Sequence, residues 1–186
     1  MAGWVEADFF TYRWPETNGK PVCPACQARD PYRINTARAH MRCRTCRRDF
    51  SAVSGTVFAS GKVPLTTVLD VLEAYCTGDR RSIHAWAPEL GLTYKTAYVL
   101  WQKVREAALR YLRSCLIVVQ PEQVDEAFHR ATAALPLKAR VKLLVMAARD
   151  GPSLEMTGYY QSRWAGGRAR RRQVPPLKRA ASRSGE

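Results

Sequence analysis

Two closely spaced pairs of cysteines constrain the fold of this 186-residue chain more than any other feature of its sequence. Each pair has the form Cys-x-x-Cys, and sixteen residues separate the two pairs. A Cys-x-x-Cys turn brings two thiolates to one side of a tight loop, and four thiolates at about 2.3 Å complete the tetrahedral coordination of Zn²⁺. The spacing therefore predicts one structural zinc ion, bound by Cys23, Cys26, Cys43 and Cys46.

The segments around the cysteines predict a zinc ribbon over residues 10–54. Residues 32–42 have room for two short strands, and residues 49–53 for a third. Disulfides are the first alternative, but the acidic N-terminus has no apolar run typical of a secretion signal, so we expect a reducing compartment. A redox-active pair is the second alternative, and it normally stands alone beside a βαβ pattern. Four thiolates leave zinc no open position for catalysis.

The net charge of +14 is concentrated at two places along the chain. Residues 20–50 hold eight basic and two acidic residues, and residues 163–186 hold eight basic residues and one acidic residue. Such an excess indicates either a role in solubility or a polyanionic partner, which is most commonly nucleic acid. No stretch of eighteen apolar residues is present, so we expect no membrane span. We predict a cytoplasmic protein.

The basic residues of the ribbon cluster around its second cysteine pair. Small, metal-rigidified knuckles that carry positive side chains are suited to phosphate contact. The alternative is a solvated face that compensates the charge of −2 left by four thiolates and one zinc ion. Given the overall charge, we favour contact with nucleic acid through Arg42, Arg44, Arg47 and Arg48.

The middle of the chain, residues 62–114, has the pattern of a helical domain. Apolar residues recur at helical spacing up to Gly78, which ends the first helix, and a second apolar face spans residues 82–90. Gly91 then permits a turn, and Thr93 is a favourable N-cap for a long third helix. This order predicts a helix-turn-helix.

In a helix-turn-helix, the first turn of the second helix faces the major groove of DNA. A three-helix bundle with a glycine turn has the same pattern without this function, so both interpretations remain open. The residues predicted to contact DNA are Thr93, Tyr94, Lys95 and Tyr98.

The C-terminal third predicts strands followed by a tail. Residues 116–119 and 139–147 are apolar runs that we interpret as strands, and residues 153–160 have the pattern of a returning hairpin strand. Residues 164–186 are rich in arginine and proline, which indicates a disordered basic tail. The expected fold class is therefore α+β and multi-module, with a strand region over residues 115–163.

The combined motifs resemble a family of bacterial insertion-sequence transposases. These enzymes place a zinc ribbon and a helix-turn-helix before an RNase H-like core of the DDE type. The resemblance covers residues 10–128 and implies binding to the terminal inverted repeats of a mobile element. It rests on the order of the following motifs: Trp14-Pro15, the two cysteine pairs, Phe50, Gly55-Thr56-x-Phe58, Lys62-x-Pro64-Leu65 and the run from Gly91 to Ala97.

The resemblance also implies a catalytic position at Asp125. In the family, a Val-Asp-Glu-like motif on the first strand of the core carries the first acid, and residues 124–126 match it. That chemistry needs several carboxylates to hold two Mg²⁺ ions around a phosphate. The remaining acids, Asp150, Glu155 and Glu186, do not stand where the family has its other ligands. We therefore expect an incomplete, partial RNase H-like core, with Mg²⁺ bound only if the core is completed.

Three hypotheses of function follow. The first is a transposase-related protein that binds specific sequences of double-stranded DNA, alone, as a homo-oligomer or with a full-length transposase. The second is an active transposase or nuclease whose missing carboxylates come from a partner or from a longer reading frame. The third is a regulator whose zinc ribbon binds RNA or protein.

Overall fold

The computed structural model describes residues 3–35, 39–59, 63–79 and 81–149. These residues form a small sheet near the N-terminus and a set of packed helices. The strands are β1 (Pro31–Asn35), β2 (His40–Cys43) and β3 (Asp49–Ser51). The helices are α1 (Glu6–Arg13), α2 (Leu65–Thr77), α3 (Ile83–Trp86), α4 (Tyr94–Ser114), α5 (Val124–Ala131) and α6 (Leu137–Ala147), and short 3₁₀ turns occur at Pro15–Thr17, Pro88–Leu90 and Pro121–Gln123.

The three strands form an antiparallel sheet in the order β1-β2-β3. Tyr32 pairs with Arg42 across the first ladder, and Met41 pairs with Phe50 across the second. Met41 and Phe50 are both buried, so the central pair anchors one face of the sheet in the core. The strands predicted from the cysteine spacing are confirmed, and the fold class is α+β.

Two of the three predicted helices of the middle segment, α2 and α4, form where the sequence pattern places them, whereas residues 82–90 hold only the short α3 and a 3₁₀ turn. α2 ends at Gly78, whose φ of 74° is the left-handed conformation that glycine adopts at low cost. The Thr93 hydroxyl accepts a hydrogen bond from the backbone N–H of Thr96 at 3.3 Å and so caps α4. The inner face of α4 buries a continuous stripe that includes Ala97, Leu100 and Val104.

The prediction of a strand over residues 139–147 is wrong, because this segment lies in α6. Its buried residues are Val141, Leu144 and Val145, with Ala148 just beyond, and a spacing of three and four is that of a helix face. A short apolar run is compatible with either structure. Leucine, lysine and alanine at the other positions favour the helix.

The second predicted strand, residues 116–119, is also absent. Leu116 has a φ of 60°, and the side chains of Leu116 and Val118 are 90% and 94% exposed, so no neighbouring strand pairs with this segment. Residues 115–149 thus contain no β-strand, and the expected partial RNase H-like β segment is not formed in the part of the chain that the structure describes. The predicted hairpin over residues 153–160 and the tail over residues 164–186 lie outside that part.

Side chains and backbone of the N-terminal segment pack directly on the helices. Trp4 donates its indole N–H to Glu73 on α2 at 2.6 Å, and α1 packs against both α2 and α6. The backbone N–H of Val57 donates to the carbonyl of Ala148 at 3.0 Å, next to a β-bridge between Thr56 and Arg149. The ribbon and the helices therefore share one hydrophobic core. Among the described residues, no helix is long and apolar enough to cross a membrane.

Candidate metal centre and nucleic-acid interface

The four cysteine sulfurs converge at the base of the sheet. All four Sγ atoms lie within 4.8 Å of one another. Cys23 and Cys46 are separated by 3.7 Å between Sγ atoms, and Cys26 and Cys43 by 3.5 Å. A tetrahedron with metal–sulfur bonds of about 2.3 Å has edges of about 3.8 Å. The cluster thus fits a Zn²⁺ ion, and each of the two short contacts joins one cysteine pair to the other.

The two cysteine pairs adopt the same backbone conformation. The first knuckle is the turn that carries Cys23 and Cys26. In it, the backbone N–H of Gln27 donates to the carbonyl of Cys23, and the carbonyl of Ala28 accepts from the N–H of Cys23, both at 2.9 Å. In the second knuckle, Arg47 and Arg48 make the equivalent bonds with Cys43 at 3.1 and 3.0 Å. The fifth residue of each knuckle is left-handed, with φ of 61° at Gln27 and 59° at Arg47. This repeated turn orients both pairs toward one point.

The electrostatics of the second knuckle favour a thiolate at Cys43. The backbone N–H of Cys46 donates to Sγ of Cys43 at 3.5 Å and is the largest cause that lowers the pKa of this thiol, to about 6. Cys23 and Cys43 are buried, whereas Cys26 is exposed and Cys46 half-buried. The cluster supports a structural zinc with four protein ligands, and such a site has no open position for a substrate.

Two of the four predicted DNA-contact arginines are held by carboxylates. Arg42 makes a bidentate pair with Asp49, at 2.5 and 2.8 Å, and this guanidinium lowers the pKa of Asp49. Nε of Arg44 lies 3.2 Å from a carboxylate oxygen of Asp30, and the guanidinium carbon of Arg44 lies 5.0 Å from the centroid of the Tyr32 ring. Their charges are thus matched within the ribbon.

The other two predicted arginines, Arg47 and Arg48, differ from Arg42 and Arg44 in their charge environment. Arg47 and Arg48 are exposed, and neither has a carboxylate within salt-bridge distance among the described residues. The backbones of Arg47 and Arg48 make the hydrogen bonds that close the second knuckle, so this turn fixes the positions of their Cα atoms. The sequence pattern could not separate these two from Arg42 and Arg44, because the partner Asp30 lies fourteen positions before Arg44.

The first turn of α4 lies on the surface. Thr93, Tyr94 and Lys95 are exposed and Tyr98 is half-buried. Tyr94 is the middle ring of a stack: His84 of α3 lies at 4.1 Å between centroids and Tyr98 at 6.2 Å. Sequence reasoning missed His84, because its partner is ten positions away.

A cavity of about 610 Å³ connects this helix to the ribbon. Thr93 and Lys95 line it together with Val53 and Phe58, which follow the third strand. The structure thereby brings one side of the predicted helix-turn-helix next to the end of the ribbon.

Asp125 lies in the first turn of α5 and not at the end of a strand, so the strand position that the catalytic interpretation assumed is absent. Its carboxylate accepts hydrogen bonds from the hydroxyl of Tyr75 and from Nε of Arg105, both at 2.9 Å. Arg105 also donates to the carbonyl of Pro121 at 2.7 Å. Asp125 therefore joins α2, α4 and α5.

No acidic metal site accompanies Asp125 in the described residues. There, the cysteine cluster is the one group of three or more His, Cys, Asp or Glu side chains close enough to share an ion. The neighbouring Glu126 pairs with Arg130 at 2.5 Å. Asp150 and Glu155 fall outside the described residues.

One comparison with known proteins gives a match to the ribbon segment. Residues 6–49 match the family described as the transposase zinc-ribbon domain, of the IS1595 type. The matched segment contains α1, all four cysteines and the first two strands. No curated protein and no solved structure matches the chain. The match and the cysteine cluster together support a transposase-related zinc ribbon with a role in nucleic-acid binding.

Proposed function

We propose that this protein binds double-stranded DNA in a sequence-specific manner, at the terminal inverted repeats of an insertion sequence, and lacks a complete catalytic core. The observation that carries this proposal is the second zinc knuckle, in a segment that matches a transposase zinc ribbon. It displays Arg47 and Arg48 on a hydrogen-bonded turn that a bound Zn²⁺ ion would rigidify, without a carboxylate partner in the described part of the chain. Guanidinium groups in this setting are suited to phosphate contact.

The exposed start of α4 is the proposed reader of base edges. Its geometry supports this role because Thr93 fixes the first turn and the stack with His84 fixes the ring of Tyr94. Lys95 projects from the same turn. Phosphate contacts set the affinity of a DNA-binding protein, and base contacts set its specificity. We therefore assign affinity to the ribbon and sequence preference to α4.

The proposal includes no cleavage step. Asp125, the candidate first acid of a catalytic core, is engaged by Tyr75 and Arg105, and one carboxylate does not assemble a site for two Mg²⁺ ions. The hypothesis of an active enzyme requires further carboxylates from a partner or a longer frame. The hypothesis of an RNA- or protein-binding ribbon requires that α4 has no role in recognition.

Selection of bound fragments from sheared genomic DNA tests the proposal. The zinc-loaded protein is incubated with the fragments at about 150 mM salt, where non-specific phosphate contact is weak. We expect enrichment of the inverted repeats that flank the protein's own gene. Enrichment of unrelated promoters would overturn the assignment to element ends, and recovery of nothing above input would overturn sequence-specific binding altogether.

Substitutions then separate the two surfaces. Replacing Arg47 and Arg48 with alanine is expected to weaken binding to all sequences, whereas replacing Tyr94 or Lys95 is expected to change which sequences are selected. Identical behaviour of the two sets would contradict the role of α4 as the reader.

A further inference from the structure

A second basic site lies on the first knuckle of the ribbon, away from the arginines discussed above. It is a cavity of about 640 Å³ lined by residues from the first knuckle, the end of α1 and the segment after α6. Arg13, Arg29 and Arg149 contribute positive charge to its wall, and Glu16 is its acidic residue. We call this cavity the three-arginine pocket.

The pocket carries an excess of positive charge. Its three arginines and one glutamate give a formal charge of +2. Elsewhere in the described part of the chain, most arginines face a carboxylate of their own: Arg33, Arg42, Arg44, Arg81, Arg105, Arg110 and Arg130. Positive charge that is concentrated in a concave site with low-dielectric walls attracts anions more strongly than the same charge on a flat surface.

Two of the three guanidinium groups are fixed in place by the fold. Arg13 is only 7% exposed, donates to the carbonyl of Ser54 at 3.3 Å and lies over the ring of Trp14 at 5.6 Å. Arg149 donates to Glu16 at 2.7 Å, and this hydrogen bond is the largest cause that lowers the pKa of Glu16. A preorganised arginine loses less entropy when it binds an anion.

The third guanidinium group is available at the rim. Arg29 is exposed and, among the described residues, has no carboxylate partner. It directly follows Ala28, whose carbonyl accepts from the N–H of Cys23 and closes the first knuckle.

We propose that the three-arginine pocket binds a phosphate group, supplied by the backbone of the nucleic acid that the ribbon contacts. The planar fork of arginine matches phosphate oxygens in a bidentate manner. The volume falls within the range of roughly 300–1,000 Å³ typical of ligand sites, so a phosphate with its sugar fits. This inference rests on the proposed function, and it adds a phosphate contact that the sequence analysis did not include.

Duplex binding by the zinc-loaded full chain tests the pocket. The dissociation constant for a 20-base-pair duplex is measured by fluorescence anisotropy between 50 and 300 mM salt. Arg29→Ala is expected to weaken binding roughly five- to tenfold at about 100 mM salt and to reduce the slope of log K against log salt by about 1. Glu16→Gln removes the one acidic wall residue and is expected to tighten binding roughly two- to fivefold.

Matched controls come from α5, which contributes no residue to the pocket. Arg130→Ala changes the net charge by the same amount as Arg29→Ala, and Glu126→Gln by the same amount as Glu16→Gln. The side chains of Arg130 and Glu126 are both highly exposed. We expect neither to alter the salt slope. If Arg29→Ala and Arg130→Ala have the same effect, the pocket inference fails while the proposed function stands.

A second measurement distinguishes failure of the proposed function from failure of the pocket inference. Broadening of the ³¹P resonance of inorganic phosphate is recorded at low salt with the wild-type protein and with Arg29→Glu. If the wild type binds no duplex, the proposed function fails, and this measurement then tests the pocket by itself. Broadening by the wild type that Arg29→Glu abolishes supports a phosphate site, and equal broadening by both proteins overturns it.

Discussion

The Sγ atoms of Cys26 and Cys43 lie 3.5 Å apart, although the two residues belong to different knuckles seventeen positions apart. A single Zn²⁺ ion bound by the four cysteines would close the ribbon by joining these knuckles. The ribbon and the helices share one core, in which α1 packs on α2 and α6.

The first prediction concerns the metal. Cys43→Ser is expected to reduce the zinc content from one ion per chain to none and to unfold the ribbon, because zinc binding in such small units is folding free energy, about 10–16 kcal/mol in isolated zinc-finger peptides. Zinc analysis and thermal unfolding measure both effects. Cys115→Ser is the matched control, since Cys115 is exposed and outside the cluster. Full zinc content and unchanged stability in Cys43→Ser would refute the structural role.

The second prediction concerns alkaline pH. Burial, followed by the nearby Asp125, raises the pKa of Tyr75 above its ordinary value of 10. Above pH 10 the tyrosine of the unfolded chain ionises while that of the folded chain stays neutral, so stability falls as pH rises, by up to about 1.4 kcal/mol per pH unit for this group. Tyr75→Phe removes the hydrogen bond to Asp125 and is expected to lower the free energy of unfolding by about 1 kcal/mol at pH 7.

Urea unfolding of both proteins between pH 8 and pH 11 checks this prediction. The difference in unfolding free energy between wild type and Tyr75→Phe is expected to shrink as pH rises through 10. A constant difference across this range would show that Tyr75 does not have a raised pKa in the folded state.

The third prediction separates a structural from a catalytic Asp125. Asp125→Asn weakens the contact with Arg105 and is expected to lower stability by about 1 kcal/mol, since both side chains are partly exposed. We expect no change in DNA affinity beyond that of a matched surface variant such as Glu126→Gln. Loss of a Mg²⁺-dependent cleavage activity in Asp125→Asn, at unchanged stability, would establish the catalytic alternative.

The fourth prediction concerns the start of α4. Thr93→Ala removes the hydroxyl that accepts from the N–H of Thr96 and is expected to lower the free energy of unfolding by about 1 kcal/mol. Thr93→Asp retains an acceptor and is expected to keep most of that stability. If the alanine and aspartate variants unfold at the same temperature, the hydroxyl does not cap this helix.

The parts of the fold that depend on local chemistry were predictable from the sequence. The cysteine spacing gave the ribbon strands, Gly78 marked the end of α2, and Thr93 marked the start of α4. Each of these signals is local, because two residues separate the cysteines of each pair, and Gly78 and Thr93 adjoin the helix ends that they mark. Residues 139–147 were not predictable in the same way, because an apolar run of this length packs equally well as a strand or as one face of a helix.

The candidate site was predictable only in part for a related reason. The four ligands lie in two recognisable turns, but the charge balance of each arginine depends on tertiary contacts. Asp30 reaches Arg44 across the sheet, and Glu16 reaches Arg149 from the opposite end of the described chain. No local pattern records such pairs, so the three-arginine pocket is visible only in the folded structure.

The salt dependence of duplex binding is the decisive measurement of whether the second zinc knuckle contacts DNA phosphates through Arg47 and Arg48. The double variant Arg47→Ala/Arg48→Ala is compared with Arg81→Ala/Arg130→Ala, which removes the same charge from arginines that already pair with carboxylates. We expect the first variant to reduce the slope of log K against log salt by about 2 and the second to leave it unchanged. Equal slopes for the two variants would contradict it.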